Sequence, residues 1–236
     1  AAGGCVGIII GVVSLTGAGT AFPNAVVPLA EKSLLLALMA IMLCSIVLGM
    51  GLPSAVCYLL MATLIGPVLG KLGVIPLAAH LFIFYFGMMS MVTPPVALAA
   101  YASASIANAR IMPTAMASFR FALVGFTLPY MFIYRPALLL LKEDGNQLVM
   151  GDIPVVALAI ATAVVGIIAL AAGIAGQMRG TLKWPLRAAF LVAAGLLLIP
   201  AQLLNLAGAV LFVAAVVFDQ RAAEEKSVAT LETPNL

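Results

Sequence analysis

Apolar residues run along this chain in long blocks rather than in alternation, and the informative positions are where the blocks stop. A first block covers residues 2–21, and a short connection with Pro23, Asn24, Pro28, Glu31 and Lys32 follows. Residues 33–70 then contain no Asp, Glu, Lys, Arg or His, and between 72 and 109 the only ionisable side chain is His80. Further apolar blocks cover 119–141, 153–176 and the stretch from 188 to 218. A helix that crosses hydrocarbon needs about 20 apolar residues. The pattern therefore predicts an all-α membrane protein, a multi-span helical bundle.

Two blocks are interrupted. Gly49-Met50-Gly51-Leu52-Pro53-Ser54 divides 33–70 into two arms, each about 16 residues or about 24 Å as helix, short of the hydrocarbon thickness. Glu31 and Lys32 precede the pair, Lys71 follows it, and no charge lies between. That arrangement predicts a re-entrant hairpin over 33–70 that returns to the side it entered. Ser90-Met91-Val92-Thr93-Pro94-Pro95 interrupts 77–107, which is too long for one straight span and predicts a discontinuous helix. The expected organisation is a scaffold-type helix and connection at 1–32, one repeat with both breaks at 33–118, and a transmembrane helix at 119–141. A C-terminal extension follows at 142–236. Pro200, Gln202 and Asn205 leave two or three passes open there, and the mixed charges from Asp219 onward read as a frayed, solvated tail.

Composition sharpens this picture. The chain is 65% hydrophobic and 8% charged, against about a quarter charged in soluble domains, so its solvent is lipid. The net charge of +3 comes without any basic run, which argues against nucleic acid. Cys5, Cys44 and Cys57 lack metal or redox spacing and read as small buried apolar residues. The chain starts in an apolar run without Met and reads as a piece of something longer. An intramembrane enzyme would want a buried Asp pair, a Ser with His or Lys, or a His and Glu metal motif. The acidic residues all lie in loops or the tail, and His80 is the one histidine, so no enzyme is expected. Lys and Arg counts place Arg110, Arg120, Arg179, Lys183 and Arg187 on the cytoplasmic face, opposite Lys32, Lys71 and Lys142.

The breaks carry the chemistry. Irregular backbone survives at membrane depth only where it lines a cavity or is buried in protein, and paired interruptions point to a transporter's binding site. Gly and Pro end one helix and start the next, leaving carbonyls and amides without intrahelical partners. In the second break the tandem prolines are expected to free the carbonyls of residues 88–92, to which Thr93 adds a hydroxyl. Such oxygens suit a small hard cation such as Na⁺, while helix N-termini suit an anion. Gly49, Gly51, Ser90 and Thr93 are the candidate cation ligands, with Ser54, Pro94 and Pro95 at the substrate anion. No other metal and no cofactor is expected. His80, beside Leu81, Phe82 and Phe84, reads as interfacial or packed. Arg110 and Arg120 read as snorkelling anchors, and Trp184 and Tyr134 as an interfacial belt.

These residues resemble a known family. Gly7-Ile8-Ile9-Ile10-Gly11-Val12-Val13 with Leu15-Thr16-Gly17, then Gly49-Met50-Gly51-Leu52-Pro53-Ser54, resemble the large membrane subunit of tripartite ATP-independent periplasmic (TRAP) transporters. Ala78-Ala79-His80-Leu81-Phe82-Ile83-Phe84-Tyr85-Phe86, Thr93-Pro94-Pro95-Val96-Ala97-Leu98-Ala99-Ala100, Phe119-Arg120-Phe121 and Pro129-Tyr130-Met131-Phe132-Ile133-Tyr134 are similar to the TAXI-type branch, whose membrane subunits are fused. Trp184-Pro185-Leu186-Arg187 and Pro200 look like the extra C-terminal region of fused permeases. The resemblance implies an elevator-type secondary transporter in the bacterial inner membrane. It would be driven by Na⁺, sometimes H⁺, and take up organic acids delivered by a periplasmic binding protein. It also implies two inverted repeats, of which this chain holds the second. The remaining partners would be the N-terminal part of the permease and a small membrane subunit. Gly49, Gly51, Thr93, Pro94 and Pro95 occupy positions matching the family's cation sites. Two alternatives stand beside this reading: a divalent-anion symporter of related architecture without a binding protein, and a structural fragment of a larger permease.

Overall fold

The computed structural model describes residues 32–232 except Gly51, Pro53, 145, 146 and Arg179, together with scattered positions among the first 31. The helix expected over 2–21 lies largely outside the described residues. The chain divides into two compact units, Ala1–Leu139 and Leu140–Leu236.

In the first unit the described helices are α1 (Leu34–Gly49), α2 (Ser54–Leu64), α3 (Gly66–Lys71), α4 (Pro76–Met89), α5 (Leu98–Ile106), α6 (Ile111–Gly125) and α7 (Leu128–Tyr134). A single 3₁₀ turn, Pro136–Leu139, follows. The second arm of the expected hairpin is thus two helices, offset at Ile65 just before Pro67. Gly73, at φ +74°, closes the turn after α3, where its N–H donates to the Gly70 carbonyl and that of Val74 to Leu69. A positive φ suits glycine because it has no Cβ. Pro76 then opens α4, where its missing N–H has no helical partner to lose.

Helix α4 is the axis of this unit. Phe82 and Phe86 are fully buried on it, edge-to-face at 4.7 Å. Tyr130 of α7 packs against both, at 5.4 and 5.8 Å, and its hydroxyl donates to Met42 Sδ of α1. Leu38 and Ile41 of α1 and Met61 of α2 are buried in the same core. Near the start of α4, His80 shares a 3.0 Å hydrogen bond with the Tyr58 hydroxyl of α2, and Phe84 meets the Tyr58 ring edge-on.

The helix expected over 119–141 begins at Ile111 and ends at Tyr134. Pro113 reads as a loop marker, but it falls in the first turn of α6, where a proline is tolerated because its N–H would be unpaired anyway. At the other end, Pro136 disfavours helix at Arg135. Arg135 is buried, and loss of solvation pushes its guanidinium below the ordinary value.

The second unit opens with a two-stranded antiparallel hairpin, β1 (Leu141–Asp144) and β2 (Gln147–Met150), where a polar loop was expected. An exposed Lys142–Asp152 pair at 3.1 Å closes its base. Three helices follow, α8 (Ile153–Ala175), α9 (Trp184–Leu198) and α10 (Gln202–Glu232). Helix α8 buries small residues, among them Ala159, Ala163, Gly166 and Gly173, and the two glycines lie against α9. A Cβ at Gly173 would sit 2.7 Å from Leu191, and one at Gly166 would sit 3.0 Å from Leu198. Such small faces let apolar helices approach closely in lipid. At the end of α8, Gly176 takes φ +70°, and Arg187 donates to the carbonyls of Gly173 and Ile174. The last apolar stretch is two helices rather than one bent span, divided at Ile199 and Pro200. The tail expected to fray from Asp219 continues α10 to Glu232, in keeping with its Ala, Glu and Lys content.

Among the described residues, three helices are long and apolar enough to cross a membrane: Ile111–Tyr134, Ile153–Ala175 and Gln202–Gln220. Helices α1, α2, α4 and α9 are apolar but shorter.

Candidate cation and substrate site

Both breaks form, and the structure brings them together. Helix α1 ends at Gly49, and Met50 turns extended at ψ 120°. The Met50 N–H donates to Val47, so the Ile46 carbonyl loses the partner that a continuing helix would supply. Gly49 faces α4 so closely that a Cβ there would lie 2.8 Å from Ser90 Oγ, 3.0 Å from the Gly87 carbonyl and 3.0 Å from Cys57 Sγ. Only a residue without a side chain fits that approach. One turn before Gly49, Ser45 is fully buried, and among the described residues its hydroxyl has no hydrogen-bond partner.

The second break winds down rather than stopping abruptly. Ser90 is 1% exposed and donates its hydroxyl proton to the Gly87 carbonyl at 2.6 Å. Thr93, half-buried, donates to Met89 at 2.7 Å. The carbonyls expected to be freed are mostly used again: Met88, Met89 and Ser90 accept from the N–H groups of Met91, Val92 and Thr93. The Met91 carbonyl accepts from Ala99 at 3.0 Å, which ties the two halves of the broken helix together. Val92 is left as the carbonyl in that run without a backbone donor among the described residues. The reason is that short 3₁₀ turns tolerate the local geometry that the prolines forbid to an α-helix. The Pro94–Pro95 bond is cis, and Ala97 takes the left-handed conformation just before α5.

Gly49 and Ser90 therefore meet, and Thr93 lies one turn beyond Ser90. Pro94 is half-buried and Pro95 exposed, while Ser54 is half-buried at the start of α2. Gly51 lies outside the described residues. Sequence reasoning missed Gly87, whose only signal is its place one turn before Ser90, and it gave Cys57 no role in the site. Cys57 is fully buried, as expected of a small apolar residue, but its sulfur lies against both glycines of the joint.

Two consequences follow for chemistry. The Ser90 and Thr93 hydroxyls have committed their protons, so their oxygens present lone pairs only. The C-terminal ends of α1 and α4 also come together, and each helix end carries roughly half a negative charge. Helix ends of this kind favour positive over negative charge, and among the described residues the joint holds no carboxylate or imidazole. No group of three or more His, Cys, Asp or Glu able to hold a metal ion occurs among the described residues.

Apolar helices with interrupted backbone define an all-α, multi-pass membrane protein. The profile of the family described as tripartite ATP-independent periplasmic transporter, DctM component, matches residues 2–142, and the chain belongs to that family. It is thus permease material of a secondary transporter, which is not an enzyme class. Family membership implies association with a periplasmic binding protein and other TRAP subunits. No curated protein and no solved structure matches the chain.

Proposed function

We propose that this chain supplies the cation-binding half of a TRAP permease in the bacterial inner membrane, importing an organic acid in symport with Na⁺. The joint between Gly49 and Ser90 seats the cation, with Thr93 completing it. Ser54 at the N-terminus of α2 and the chain around Pro94 and Pro95 face the carboxylate, because helix starts favour negative charge. In this reading the hairpin re-enters from the outer side, and the acid arrives on a TAXI-type binding protein. The observation that carries the proposal is the meeting of two helix C-termini at hydroxyl oxygens whose protons are already committed.

The test is uptake by the intact transporter in proteoliposomes as a function of Na⁺. Ser90→Ala and Thr93→Ala should each raise the Na⁺ concentration for half-maximal uptake about tenfold, since bonds to a charged group contribute roughly 1.5 kcal/mol or more. An unchanged Na⁺ requirement in both variants at normal expression would refute the cation assignment.

A further inference from the structure

Neither glycine of the joint rests on the other helix alone, because the Cys57 sulfur stands between them. A Cβ at Gly49 would lie 3.0 Å from Cys57 Sγ, and one at Gly87 would lie 2.8 Å from the same sulfur. Cys57 is fully buried one turn into α2, so the returning arm of the hairpin wedges its thiol between the end of α1 and the last turn of α4. The Gly87 carbonyl in turn takes the Ser90 proton at 2.6 Å and fixes that hydroxyl. We infer that Cys57 and Gly87 are a size-matched positioning pair whose fit sets the separation of Gly49 from Ser90, and through it the cation affinity.

The inference rests on the cation reading of the two breaks. Its physical basis is that a close-packed interior transmits a change of one methyl group, and small misplacements of ligands are costly to function. The thiol acts here through its volume, not as a ligand.

The experiment is a volume exchange in the intact transporter. Gly87→Ala drives a methyl into the sulfur and should raise half-saturating Na⁺ about tenfold. Cys57→Ala removes the wedge and should raise it severalfold. The double variant restores the room and should return the Na⁺ requirement to within about twofold of the parent. Thermal unfolding without Na⁺ is followed in parallel, since a merely structural role would move stability and leave the Na⁺ requirement in place. Should Gly87→Ala not fold, Cys57→Ala and the double variant still decide the matter. An unaltered Na⁺ requirement in the folded single variants, or a folded double variant worse than both, overturns the pair. If Thr93→Ala still shifts the Na⁺ requirement in that case, only the pair falls. If Ser90→Ala and Thr93→Ala are both silent as well, the cation reading falls with it.

Discussion

At the scale of single residues, the joint is decided by what is missing from side chains. Gly49 is enclosed by Ser90 Oγ, the Gly87 carbonyl and Cys57 Sγ, so even one methyl must displace something. Gly49→Ala should express and reach the membrane yet lower Na⁺-stimulated uptake at least tenfold, measured in proteoliposomes with Gly66→Ala as the control. Nothing lies within 4 Å of a Cβ at Gly66, so that change has room. Equal uptake by the two variants would refute the enclosure argument. Gly125 of α6 makes a second close approach, where a Cβ would collide with the Tyr85 hydroxyl of α4. Gly125→Ala should therefore destabilise the protein by about 1–3 kcal/mol, the usual cost of overpacking. Thermal unfolding in detergent reads this, and Tyr85→Phe in the same background should restore much of the loss.

At the scale of elements, the sequence shows its breaks but not their meeting. The two interruptions are legible because Gly and Pro act on the backbone locally, and a charge-free flank leaves no other reason for them. The start of α6 is not legible, since Pro113 looks the same in a loop and in a helix's first turn. Nor is the strand pair Leu141–Asp144 and Gln147–Met150, which is too short for alternation to register. The fate of the carbonyls at residues 88–91 also escapes local reading, because the Ala99 N–H that satisfies Met91 comes from beyond the prolines. The contact between Gly49 and Ser90 depends on how α1 and α4 pack, which no local signal encodes. Element packing carries its own prediction in the second unit. Arg187 donates to Gly173 and Ile174 at the end of α8, so Arg187→Ala should lower the unfolding temperature, whereas Trp184→Phe, at a site 73% exposed, should not. An unchanged unfolding temperature in Arg187→Ala would remove the capping role.

At the scale of the whole molecule, charge placement carries a proposal about sidedness. Lys142 and Lys183 flank the apolar helix α8, a span of 23 residues, so they must lie on opposite faces. With arginines counted mostly on the side of Lys183, we propose that side as the cytoplasmic one. A cysteine replacing Lys142 should react with an impermeant maleimide in intact cells, and one replacing Lys183 only after the membrane is opened. Labelling of both from outside would invert or break this topology. The stretch from 33 to 70 has a further electrical consequence, since it holds no fixed charge at all. A membrane voltage does work only on charges that cross it, about 2.3 kcal/mol per elementary charge at 100 mV. Apart from its helix dipoles, such a segment feels that voltage only through what it carries. On the symport proposed above, transient charge movement measured without carboxylate would then come from the bound cation and vanish when Na⁺ is left out.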